Sequence, residues 1–219
     1  MALAYTNWAG ATSTTGASAS MSNNPVRWPI FKTGVVCAYE NASTASPGTL
    51  ADSGGNTWTL LTTVNGNNLA ANGILMVWTS PMTISVANMS TTYTKVTSGS
   101  NVAMSQGWIS NGLGPIDWIG VPLTNFGSST TPSIPNIPIA NNDLLIAILG
   151  YQGGGTLTND SNWQTGDSRR ASSAAVALQF QIGTATGPRN WNPTIGSTAP
   201  WATIGFAYTQ QFLMGQIVT

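Results

Sequence analysis

Apolar and polar residues alternate along much of this chain with a period of two. Val176, Leu178, Phe180 and Ile182 fall on one face of a segment whose other face carries Ala175, Ala177, Gln179 and Gln181. Val102, Met104 and Trp108 share a face opposite Ala103 and Ser105. Successive side chains of an extended backbone point to opposite sides, so this pattern predicts β-strands with two distinct faces. Ten segments read this way: 34–39, 57–64, 73–78, 91–96, 102–109, 116–121, 144–151, 174–182, 189–193 and 201–208. They are bounded by Gly, Pro, Asn and Asp, the residues that form turns. Two runs, 35–39 and 144–149, are apolar throughout. They are too short and too tightly bounded for helices, and predict central strands covered on both faces. No segment holds a helical period. Many short strands with frequent turn signals predict a sandwich or barrel.

A weak internal repeat refines this picture. Gly34-Val35-Val36-Cys37-Ala38-Tyr39 corresponds to Asp143-Leu144-Leu145-Ile146-Ala147-Ile148. Each is followed by a polar turn and a tryptophan, Trp58 and Trp163, then an apolar strand, an aromatic (Tyr93, Trp191) and a closing Gly107-Trp108-Ile109 or Gly205-Phe206-Ala207. The offsets shrink from 109 to 98 residues while the order is kept. Between the halves, prolines at 132, 135 and 138 predict an extended connection crossing between sheets. Residues 10–24 are rich in Ala, Ser, Thr and Gly and show no period. Such a stretch buries too little to order itself, so 1–28 is expected to be an extended arm held by a neighbour, with Trp8 and Trp28 as anchors. The expected fold is an all-β, jelly-roll-like β-sandwich of two quasi-repeated Greek-key halves: one domain over 29–219, preceded by that N-terminal arm.

Composition changes the functional outlook more than the fold. Only 12 of 219 residues are charged, there is no histidine, and the formal net charge is zero. An average soluble domain is about a quarter charged. The surface must therefore be built from hydroxyls, amides and glycine, with nothing to draw it to nucleic acid or an anionic membrane. Cys37, the sole cysteine, sits in an apolar run and reads as a small buried hydrophobe. It can form no disulfide within the chain, and the absence of histidine excludes a Cys–His nucleophile. Residues 1–8 show no basic, apolar leader pattern, and no apolar run reaches the roughly 18 residues of a membrane helix; folding in a cytoplasm is the expectation.

Candidate chemistry is sparse. Glu40, Asp52, Asp117, Asp143, Asp160 and Asp167 sit beside turn residues or at strand ends, where a carboxylate caps its own backbone. Asp52 and Asp160 occupy similar repeat positions and are expected to do one local job twice, unlike the complementary pair of a glycosidase. The group Asn159-Asp160-Ser161-Asn162 with Asp167 could hold calcium, but lacks the patterned oxygens of an EF-hand. No catalytic residue, cofactor or metal site is expected. Aromatics remain: Trp118 beside a glycine- and proline-rich loop, and Trp191 within Arg189-Asn190-Trp191-Asn192, either stack a ligand or pack in the core or between subunits, and join Trp8 and Trp28 as candidate ligand or subunit contacts.

The run Asp52-Ser53-Gly54-Gly55-Asn56-Thr57-Trp58-Thr59-Leu60, the strand over 73–78, the later Asn142-Asp143-Leu144-Leu145-Ile146 and Trp201-Ala202-Thr203-Ile204-Gly205-Phe206 together resemble a family of β-sandwich modules. In that family a D-x-x-G-N-T-W turn precedes a strand and a "DLL" strand opens the second half. Such modules occur in tailed-bacteriophage structural proteins and in large repetitive bacterial surface proteins. The resemblance spans most of 30–210 and carries no binding residues across. It implies a virion structural protein, a head decoration protein or a tail or fibre subunit. Its partners would be other virion proteins and copies of itself, as a dimer or trimer assembled in the host cytoplasm. The alternative is a carbohydrate-binding module or adhesin that stacks glycans on exposed aromatics. A hydrolase is disfavoured by the missing chemistry.

Overall fold

The computed structural model describes residues 3–22, 32–42, 46–65, 73–84, 89–110, 116–140, 142–153, 155–184 and 186–210. Among them there is no helix. The chain runs through β1 (Ala4–Ser13), β2 (Ser18–Ser22), β3 (Lys32–Asn41), β4 (Thr49–Asp52), β5 (Thr59–Asn65), β6 (Ile74–Met82), β7 (Ser90–Thr94) and β8 (Asn101–Ser110). It continues through β9 (Ile116–Ser129), β10 (Ile134–Ile137), β11 (Leu144–Gln152), β12 (Leu157–Thr158), β13 (Gln164–Ala171), β14 (Ala174–Ile182), β15 (Arg189–Trp191), β16 (Thr194–Ile195) and β17 (Ala199–Gln210). Every predicted strand is present, with ends that move by a few residues, and the pairings are antiparallel.

Two five-stranded sheets form the centre, with orders β1-β8-β3-β6-β5 and β13-β14-β11-β17-β9. The runs predicted to be central are central: β3 lies between β8 and β6, and β11 between β14 and β17. Alternation decides which core each side chain joins. Val35, Cys37, Tyr39, Leu75 and Val77 of the first sheet meet Leu144, Ile146, Ile148, Val176, Leu178, Ile204 and Phe206 of the second. The in-between residues face outward and are covered again. Val36, Ala38, Met76, Trp78 and Met104 pack beneath Ala19, Met21 and Tyr93 of a three-stranded sheet, β2-β7-β4. Leu145, Ala147, Leu149, Ala175 and Trp201 pack beneath Ile134, Ile137, Trp163, Trp191 and Ile195, carried by the β10-β15 and β12-β16 pairs and their loops. The sandwich therefore has four layers, a small sheet outside each large one, which explains why central strands here are apolar on both faces.

Read as β9-β17-β11-β14-β13, the second large sheet has the strand order of the first, and β10-β15 corresponds to β2-β7. That both sets descend from one duplicated unit is a proposal. The proline-rich segment leaves the large sheet at β9 and enters the small β10-β15 pair, crossing between layers.

The N-terminal segment departs from expectation. Over residues 3–22 it is no free arm: β1 pairs with β8 from Ala4↔Ser110 to Ser13↔Val102, and β2 pairs with β7. Leu3 and Tyr5 are buried in the central core, and Tyr5 packs against Phe180 at 5.4 Å. Small residues suit this position because the other sheet lies close. A Cβ on Gly10 would collide with the Arg169 side chain on β13.

Candidate functional site

The D-x-x-G-N-T-W turn is built as a structural clasp. Asp52 Oδ1 accepts the Gly54 N–H at 2.8 Å and the Asn56 N–H at 3.2 Å, and Oδ2 accepts the Trp58 indole N–H at 2.7 Å. Gly55 has φ +81°, a left-handed conformation that favours glycine. Asn56 is buried; its Oδ1 accepts the N–H groups of Thr83 and Ile84, and its Nδ2 donates to the Ile84 carbonyl at 3.1 Å. The motif thus ties the turn after β4 to the chain leaving β6. Aspartate, glycine, asparagine and tryptophan each have a place in it.

Asp160 does a related job in the second half. Its Oδ1 accepts the Asn162 N–H at 2.9 Å, two residues on, as Asp52 does with Gly54. Its Oδ2 accepts the Asn192 N–H at 2.9 Å. Behind it lies a residue that sequence reasoning passed over. Gln179 is fully buried, accepts the Asp160 N–H at 3.0 Å and the Trp191 indole N–H at 2.8 Å, and donates to the carbonyls of Asp160 and Trp163. A glutamine sharing one strand face with the small Ala175 and Ala177 was the only signal.

The other described carboxylates are also occupied. Glu40, fully buried, accepts from the Tyr93 and Ser100 hydroxyls and from the Val96 and Thr97 N–H groups at 3.2 Å. Burial pushes the nearby Lys95 ammonium below its usual range while Glu40 opposes that; Lys95 donates to the carbonyls of Thr15 and Ser100. Asp143 accepts the Ala140 N–H. Asp167 takes the Ser105 hydroxyl at 2.7 Å from the facing sheet and Arg169 Nε at 2.9 Å. The Asp117 side chain lies outside the described residues.

Geometry overturns two candidate sites. Trp191, a candidate contact, takes its alternative role of core packing: it is fully buried, its ring 6.3 Å from Trp163. Polar neighbours suggested exposure, but they alternate with it on a strand whose inner face it occupies. The calcium group also fails to assemble. Asp160 bonds Gln179 on the outer face of the sheet, while Asp167 reaches Ser105 through the inner face. Among the described residues no three of His, Cys, Asp and Glu come together. Trp28 lies outside the described residues, as do the side chains of Trp8 and Trp118, whose backbones run in β1 and β9. Cys37 is buried and its thiol is pushed far up by that burial and by the Asp167 charge, which removes it as a nucleophile.

Two surface features remain. A groove of about 320 Å³ lies beside β12 and β13, lined by Tyr151, Thr156, Leu157, Ser168 and Arg170. The second is the outer strand β9. Its outward layer is pinned: Leu123 packs into the outer core, Asn125 Nδ2 donates to the Ser133 carbonyl, and Ser129 Oγ accepts the Trp201 indole N–H at 3.0 Å. The same indole lies over Gly127, where an added Cβ would approach it to 2.7 Å. On the other face Thr124, Phe126 and Ser128 are exposed, with Phe126 at 41% and Val121, at the bulge, at 80%. The facing sheet leaves these side chains uncovered. No family model matches this chain, and neither a curated protein nor a solved structure is similar to it.

Proposed function

We propose that this chain is a structural component of a bacteriophage particle, a head decoration protein or a tail or fibre subunit, that works by contact with neighbouring subunits. The observation that carries the reading is where the ionisable groups are used. Glu40, Asp52, Asp143, Asp160 and Asp167 are each held by donors of their own chain in turns, core or sheet contacts. The exterior is left mainly to hydroxyls, amides and a few apolar side chains such as Val121 and Phe126, with few charges such as Arg170 among them. A surface of this kind suits close, dry contact with other subunits, because little charge has to be desolvated. The resemblance of the Asp52–Trp58 turn and the "DLL" strand to modules of phage particles supplies the setting: assembly on the virion in the host cytoplasm. The test is electron microscopy of purified native particles with this chain traced in the density. A fixed number of copies at one site is expected, and its absence from purified particles overturns the reading.

A carbohydrate-binding module or adhesin is the second reading, favoured by the groove that Thr156, Ser168, Arg169 and Arg170 line with hydroxyls and basic side chains. Saturable binding on a glycan array that is lost in Arg170→Ala supports it, and a blank array removes it.

A further inference from the structure

We infer that two copies of this chain join through β9, antiparallel and about a two-fold axis at Phe126, so that their two five-stranded sheets become one sheet of ten strands. The inference rests on the assembly reading above and names the surface that does the assembling.

Among the described residues β9 has a strand, β17, on one side only. Such edges are a template for further pairing, and proteins that avoid it place charges on them. Residues 118–129 contain no ionisable side chain. A two-fold contact sets one patch against itself, so any charge there would meet its like. A neutral patch meets its own copy without repulsion, whereas it offers a charged partner nothing to pair with.

The backbone sets the register. The Phe126 N–H donates to Asn125 Oδ1 at 2.9 Å and so faces the open side. Residues two apart in an antiparallel strand point the same way, so Thr124 and Ser128 also present their N–H and C=O outward. Two residues further back is Pro122, which has no N–H, and the ladder ends there. A two-fold at Phe126 opposes Thr124 to the partner's Ser128 and Phe126 to its own copy, giving three pairs that exchange backbone hydrogen bonds. The Asn125 amide caps the Phe126 N–H in the single molecule and gives way on pairing. Both Phe126 rings then lie side by side on the exposed face. This ladder and two half-exposed rings bury less than the roughly 1,600 Å² of a standard stable complex, so the pair is weak and opens on dilution.

The test is sedimentation velocity on the full chain from about 1 µM to about 1 mM, the range in which weak pairs form. The wild type moves from monomer toward dimer. Phe126→Asp, which sets two carboxylates at the axis, raises the dissociation constant at least tenfold, and Ser128→Pro, which deletes an outward N–H without adding charge, raises it too. Mixing Phe126→Asp with Phe126→Lys restores a mixed dimer. Ile84→Asp, an exposed apolar position elsewhere, changes nothing, and circular dichroism checks that each variant is folded. A wild type that stays monomeric throughout, or a dimer indifferent to both β9 variants, overturns the inference. A monomer that is nonetheless found on particles overturns this pairing alone; a dimer absent from particles overturns the virion reading alone.

Discussion

At the scale of single residues, two buried polar side chains call for opposite outcomes. Gln179 satisfies four groups at once, including the Trp191 indole N–H and the Asp160 backbone N–H. Gln179→Leu orphans both donors in the core and should cost about 3 kcal/mol by urea unfolding. Adding Trp191→Phe removes one of the orphans, so the double variant should lose less than the sum of the two single losses. Tyr39 is the converse. Its hydroxyl is buried without a hydrogen-bond partner among the described residues; Gly73 lies against that oxygen and Gly150 against the ring, leaving no room for a Cβ on either. Tyr39→Phe removes an unsatisfied group and should raise stability by about 1 kcal/mol. These roles were only partly legible. The turn carboxylates could be read because Asp beside Gly and Asn has a local job. Trp191 could not, because its polar neighbours on a short strand describe the opposite face, and Gln179 could not, because its partners come from loops distant in sequence.

At the scale of elements, the strands that could be read are those with β-branched or large apolar residues on at least one face. β1, β2, β4 and β13 escaped for a shared reason. Apart from Tyr5, Trp8, Met21 and Leu50 their residues are small, polar or charged, so little local favours extension, and pairing with a neighbour makes them strands. β13 carries Asp167, Arg169 and Arg170, yet its inward Asp167 is satisfied by Ser105 of the facing sheet and by Arg169. β9 depends on a contact of another kind. Trp201 lies over Gly127 and its indole reaches Ser129. Gly127→Val must displace that ring, so β9 should loosen first: hydrogen exchange at 123–129 should quicken while β11 and β14 keep their protection. Equal quickening across the sheet would show that β9 is not a separable edge.

For the whole molecule, the four layers leave its phenols no easy route to ionisation. All five tyrosines, Tyr5, Tyr39, Tyr93, Tyr151 and Tyr208, are held above the usual phenol range, chiefly by burial. A raised native pKa gives stability that is full below the unfolded value, near 10, and drains away as pH climbs beyond it. Absorbance at the phenolate band should therefore stay flat through the ordinary tyrosine range. It should then rise in one step with loss of the β-type dichroism. Stepwise titration of several phenols in a folded protein would contradict the burial described. With no histidine in the chain, none of this is preceded by an imidazole transition near neutrality.

The pairing of β1 with β8 sets a timetable for synthesis. Ala4 faces Ser110, so β1 leaves the ribosome about a hundred residues ahead of its partner. At translation rates of about 5–20 residues per second, that is a wait of roughly 5–20 s. During that wait Leu3 and Tyr5 have no core to enter. β1 is made before its partner and folds late, and its sheet can close only when β8 arrives.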